Sequence, residues 1–158
     1  MHTTRPHLQT RPLPTLPTFE EPNVARFLVV PGSDGGFLIP SDQHPHGDLH
    51  LQQLDAPGVI RSLPAVLLFR TRYLAGSRFS VRVNGSAEFQ FQGGEGGEGG
   101  AQSWHEVIAP GVLREEDNEI VLFVAPDSGG QVIFSEIAIL YTSNKLTVTR
   151  PIVLEPAG

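Results

Sequence analysis

Residues 79–91 read FSVRVNGSAEFQF, and few folds can use such a stretch. Phe79, Val81 and Val83 alternate with Ser80, Arg82 and Asn84, a period of two that puts one set of side chains on each face of a strand. Asn84 and Gly85 both tolerate positive φ, so the pair closes a tight hairpin. Ala87, Phe89 and Phe91 return on the second strand with the same alternation. A hairpin with one apolar face needs a second layer to cover that face.

The rest of the chain supplies β candidates. Residues 24–30 (VARFLVV) are stopped by Pro31-Gly32, and Phe37, Leu38 and Ile39 by Pro40. Residues 48–54 alternate, with Leu49 and Leu51 opposite His50 and Gln52. Residues 63–75 begin apolar and then alternate, Leu67, Phe69 and Tyr73 against Arg70 and Arg72. Trp104 opens a strand that Pro110-Gly111 ends. In residues 120–125 both parities are apolar, which predicts a central strand covered on both sides, or one in a closed barrel. The 127–130 turn predicts a hairpin into a long strand over 131–141, and a last short strand is expected over 145–149. No segment has helical periodicity. The fold class expected is all-β: a jelly-roll β-sandwich of about 8–10 antiparallel strands.

Domain organisation follows from the punctuation. Residues 1–22 hold five prolines and none of the acidic residues before Glu20, and read as a flexible arm or one exchanged between subunits. Leu8, Leu13, Leu16 and Phe19 are its possible anchors. Residues 23–150 form the sandwich and 151–158 a tail. The run GGEGGEGG over 93–100 reads as a mobile hairpin loop. It is no phosphate-binding loop, since no Gly-Lys-Ser/Thr follows and its glutamates repel phosphate.

Charge and composition remove several functions. The 11 basic and 17 acidic residues leave a net charge of −6, a poor match to a nucleic-acid backbone. Cysteine is absent, which excludes disulfides, thiolate metal sites and a cysteine nucleophile. No apolar run of membrane-spanning length occurs, and no export signal follows Met1, so no membrane partner is expected. No Gly-x-Ser-x-Gly elbow and no identifiable carboxylate pair support hydrolysis.

Three groups of residues could carry a site. His44, His46 and His50 lie in HPHGDLH, a spacing at which imidazoles can ligate a transition metal, with Asp48 adding an oxygen. A cupin-like site wants a glutamate within a few residues of His-x-His and a later histidine; here Asp48 follows in place of that glutamate and His105 is the candidate distant ligand, and the alternative is a solvated loop. Trp104 and His105 are neighbours on a strand and face opposite ways, so Trp104 is either core or a platform for a sugar ring. Arg70, Arg72 and Arg82 are expected on one sheet face, able to clamp a carboxylate or hydroxyls, or else merely solvated. Glu136 sits on an apolar strand and needs a partner, with Arg72 or Arg82 as candidates.

Gly111-Val112-Leu113, then Asn118-Glu119-Ile120 and an alternating strand, resemble the galactose-binding-like β-sandwiches, the sugar-binding modules of glycoside hydrolases among them. Val83-Asn84-Gly85 and Phe134-Ser135-Glu136-Ile137 resemble other strands of that family, over roughly residues 63–142; Asp117 stands where the family has glycine. The resemblance implies a jelly-roll sandwich, a carbohydrate ligand and a possible calcium ion. A non-catalytic carbohydrate-binding module is therefore the leading expectation. A structural subunit of a homo-oligomer or viral particle, self-associating through the arm, is the alternative. A cupin-like metal-dependent enzyme is the third.

Overall fold

The computed structural model describes residues 23–73, 76–93, 101–128 and 130–145. The expected arm, most of the glycine run, the strand after Lys145 and the tail lie outside these residues. Nine strands are formed: β1 Val24–Val29, β2 Phe37–Ile39, β3 Asp48–Leu54, β4 Ala65–Tyr73, β5 Arg78–Val83, β6 Ala87–Gln92, β7 Ala101–Ile108, β8 Asn118–Val124 and β9 Val132–Ser143. A 3₁₀ turn at Pro126–Ser128 is the only helical piece among the described residues. All strand pairs are antiparallel.

The strands divide into two sheets. One runs β1-β9-β4-β7, with β2 also on β9, and the other runs β3-β8-β5-β6. Most connections cross from one sheet to the other, and only β1-β2 and β5-β6 stay within a sheet. This is an all-β sandwich, as the alternating runs and turn residues imply.

The crossings correct two local expectations. The turn after β8 leads to β9 in the opposite sheet, so it is no hairpin. Likewise β6 and β7 belong to different sheets, and the glycine run joins sheet to sheet. The Asn84-Gly85 hairpin is present as expected. Both residues have positive φ, 51° and 66°, and Ser86 N donates to Val83 O at 3.1 Å.

The core is the space between the sheets. Leu67, Val81, Val83, Ile108, Ile120, Leu122, Val132, Phe134, Ile137 and Ile139 are each fully buried there. Each comes from the inward parity of its strand. One end of this core is aromatic. Phe79 of one sheet meets Trp104 at 5.8 Å and Phe134 at 5.6 Å, both edge-on from the other sheet. Phe91 lies 4.6 Å from Trp104.

Strand β9 carries a bulge. Leu68 pairs with Ala138 but Arg70 pairs with Ser135, so β9 has one residue more than β4 between these points. Glu136 in the bulge adopts φ 51°, a left-handed conformation that costs a side-chain-bearing residue about 1 kcal/mol. The turn before β2 holds it there: Glu136 N donates to Ser33 O at 2.8 Å and Ile137 N to Ser33 Oγ at 3.2 Å. Glu136→Gly relieves the backbone and gives up only an exposed ion pair. It should raise stability by about 0.5–1 kcal/mol, measured as a higher urea midpoint with an unchanged slope.

Candidate functional site

The outer face of the four-stranded sheet is built from the outward parity of its strands. Asp48, Phe123, Ser80 and Gln90 form one row across β3, β8, β5 and β6. His50, Val121, Arg82 and Glu88 form the next, and Arg78 lies opposite Gln92 beyond the first. Charges at one end neutralise each other: Arg82 pairs with Glu88 at 3.3 Å and His50 with Glu119 at 2.9 Å. Around Phe123 the charged groups are Asp48, directly opposite it and 3.4 Å from His50, and Arg78, which is held by Asp127. There the sheet forms a depression of about 380 Å³ lined by Arg78, Ser80, Gln90, Gln92 and Phe123.

Phe123 is the residue that sequence reasoning missed. Its strand is apolar on both parities, which predicts two covered faces. β8 is indeed central, between β3 and β5, yet Phe123 is 37 % exposed on the outer face. An exposed ring beside two primary amides is a polar-apolar pairing that can hold a ligand with both kinds of surface. The row that marks it, Phe123 with Ser80 and Gln90, arises from pairing between remote strands, so no local pattern announced it.

The expected site residues are placed as follows. Trp104 points inward into the aromatic cluster, stacked 6.4 Å from Phe69, and its Nε1 donates to Thr71 Oγ1 at 2.8 Å. His105 points the other way and is exposed on the outer face of the five-stranded sheet, opposite Leu68.

Arg70 and Arg72 lie on that same outer face, whereas Arg82 lies on the outer face of the opposite sheet. The shared arginine face expected from the sequence is corrected: β4 and β5 are consecutive but fall in different sheets. Glu136 pairs with Arg70 at 3.0 Å, not with Arg72 or Arg82. The bulge brings this about, since it sets Glu136 beside β4 where Arg70 projects.

The histidines are dispersed. His44 bridges to Ser41 in the loop before β3, His46 is exposed in that loop, and His50 is on β3 itself. The loop is seated tightly: a Cβ on Gly47, at φ 79°, would come within 2.7 Å of Val124 O. Among the described residues, no group of three or more His, Asp or Glu side chains is arranged to hold a metal ion.

His50 instead joins an acid pair. Its Nδ1 is 2.9 Å from Glu119, its Nε2 is 3.4 Å from Asp48, and Gln52 also donates to Glu119 at 3.1 Å. The hydrogen bond to Glu119 raises the His50 pKa above its ordinary 6.5, and the same bond lowers Glu119 below 4.5. The histidine's contribution is full below pH 6.5 and fades as pH rises through its raised pKa. That of Glu119 is present above 4.5 and fades as pH falls through its lowered pKa.

Stability owed to the pair is therefore greatest between these limits. Both groups are partly exposed, so the whole effect stays within about 1 kcal/mol. A proton NMR titration should place the His50 midpoint above 6.5, and Glu119→Gln should move it back down. An unmoved midpoint contradicts the pairing.

No family model matches the chain, and no curated protein matches it. Solved structures similar in fold do exist. One is dimeric latent PorU from Porphyromonas gingivalis, with a TM-score of 0.51 and 10 % identity over 77 % of this chain. The chain corresponds to only 13 % of that protein's length. Another is the CBM36-1 domain of a multidomain xylanase from the hindgut metagenome of Trinervitermes trinervoides. It has a TM-score of 0.43 and 10 % identity, covering 74 % of this chain and 96 % of that domain. At such identity the likeness to the first is one of fold alone, a two-sheet antiparallel β-sandwich.

Proposed function

We propose that this chain is a non-catalytic β-sandwich module that binds carbohydrate on the outer face of its four-stranded sheet. The observation that supports this most is Phe123, exposed in a depression flanked by Gln90, Gln92 and Arg78. A sugar ring has an apolar face of C–H bonds and a rim of hydroxyls. The first suits the negative face of an aromatic ring. The second suits side-chain amides, each of which offers two donors and an acceptor to neighbouring hydroxyls. The charges beside Phe123 already have partners, Asp48 in His50 and Arg78 in Asp127, which favours a neutral oligosaccharide over a phosphorylated or sulfated one. Long extended glycans suit an open sheet face better than a closed cavity.

The test is a glycan array on the full-length chain, followed by calorimetry on its best ligand with Phe123→Ser. Removing a half-buried ring from a stacked sugar costs about 2 kcal/mol, roughly a 30-fold rise in Kd. Trp104 variants that still fold should leave Kd within about twofold, since that ring faces the other way. An array without hits, or a Phe123→Ser variant that binds as tightly as the parent, would sink the reading.

A further inference from the structure

The outer face of the five-stranded sheet carries two adjacent rows of side chains. Phe27, Leu140, Val66 and Val107 form one, and Val29, Ala138, Leu68 and His105 form the other, each in the order β1, β9, β4, β7. Of these eight only His105 is polar, and Phe27, Val29 and Val107 are 59 %, 64 % and 63 % exposed. Exposed apolar side chains contiguous across four strands mark an interaction surface. The next row carries charge: Arg70, opposite Ser135, holds Glu136 at 3.0 Å.

This face is complementary to itself. A two-fold axis running along the strands between β9 and β4 brings β1 over β7 of a second copy and β9 over its β4, each row on its own counterpart. Phe27 then meets Val107, Leu140 meets Val66, and the small Ala138 meets the large Leu68. The charges match as well. Glu136 of β9 comes over Arg70 of the second copy, and Arg70 over its Glu136, so each charge lies between two of opposite sign. Face-to-face sheets cross at about 30°, which displaces the outer strands by about 4 Å, less than the roughly 7 Å between rows.

The edge fits in the same way. His105 comes over Val29, at a depression of about 480 Å³ bordered by Val29, Pro31, Asp34, Glu136 and Ala138. An imidazole brings a flat ring to this place and an N–H for a carboxylate.

The area suits a second copy. Four strands at about 4.8 Å, with the nine residues of β4 at about 3.4 Å, give a flat face of roughly 600 Å². Side-chain relief brings it towards the 800 Å² or so that each partner covers in a standard interface.

We propose that two copies of this chain pack through these faces as an isologous dimer. Both four-stranded sheets then face outward and leave Phe123 open. Nothing in the dimer depends on a ligand there.

Sedimentation equilibrium of the full-length chain, from about 1 to 200 µM, should show monomers and dimers exchanging with a Kd of roughly 10 µM, as suits an interface near the lower size limit. Every contact occurs twice across the axis, so Val107→Asp should raise Kd by about 100-fold. Val107 is exposed, so folding is not at stake. Phe123→Ser, on the opposite face, should leave Kd within about twofold.

A charge exchange tests the axis itself. Arg70→Glu and Glu136→Arg each place like charges across it, and each variant alone should associate at least tenfold more weakly, by a rough estimate. Mixed in equal amounts they should form a heterodimer with the parent's Kd, because the acidic copy then meets the basic one at both contacts. A chain that is monomeric throughout, assembly beyond a dimer, a dimer that survives Val107→Asp, or two charge variants that stay apart on mixing would each overturn the proposal.

Discussion

Asn118→Ala should lower stability by about 3 kcal/mol, the largest loss expected from a single polar side chain in this sandwich. Asn118 is fully buried at the start of β8. Its Nδ2 donates to Leu54 O and Arg114 O, and its Oδ1 accepts from Asn84 Nδ2 and Arg114 N, each at 2.8 Å. All four hydrogen-bonding positions of the amide are therefore used. One side chain ties the end of β3, the loop before β8 and the β5–β6 hairpin to each other. Removing it leaves two carbonyls, one N–H and one amide hydrogen without this partner, the Leu54 carbonyl among them in a buried place.

The melting temperature should fall by about 10 °C in a domain of this size. Asn118→Asp should be no better, because a carboxylate oxygen would face two carbonyl oxygens where the amide donated. A loss below about 1 kcal/mol in either variant would show that water replaces the amide, and that the network is not closed.

That Asn118 holds the start of its strand was legible in the sequence as a local role, an asparagine after a charged turn. Its long-range role was not. Leu54 and Asn84 are distant along the chain, and only the crossing connections bring them together. The same limit runs through the site. Alternation within a strand is a local property, so strand positions, the Asn84-Gly85 hairpin and the outward direction of Arg82, His50 and Gln90 could be read directly. Which sheet each strand joins depends on pairing between remote segments. Arg70 and Arg82 looked like neighbours for that reason and lie on opposite faces of the molecule.

The same applies to Phe123 and Trp104. An aromatic residue on a two-sided apolar strand looks like core, and a lone tryptophan beside a histidine reads as either core or a platform. The sheet order sets how far each is exposed. β7 is an edge strand whose inward face closes over the aromatic cluster, and β8 is central with an open outer face. Partner identity was equally hidden for Glu136, whose bond to Arg70 depends on an unpaired bulge residue that no local pattern announces.

Phe79→Ala should cost about 4 kcal/mol, more than any other single truncation in the core. Phe79 is 3 % exposed and is the hub of the ring cluster. It stacks on Phe91 at 5.3 Å within its own sheet, and meets Tyr73, Trp104 and Phe134 of the other sheet between 5.6 and 5.8 Å. Edge-to-face pairs add to area burial because the positive rim of one ring meets the negative face of the next, at about 0.5–1.5 kcal/mol each. Collapse cannot fill the hole, since its walls are β-strands fixed by two ladders, one in each sheet.

Trp104 is the only tryptophan, so its fluorescence reports unfolding and its emission reports the packing around it. In Phe79→Ala the folded-state emission should shift to longer wavelength as the indole gains mobility and water. Phe79→Leu should recover about half the lost stability by refilling volume without the ring edge. Phe91→Ala, at the half-buried margin of the same cluster, should cost only about 2 kcal/mol. If Phe91 proved the costlier truncation, the edge between β6 and β7 would be the true mechanical centre of the sandwich. The glycine run joining those two strands would then matter to stability, and not only to their connection.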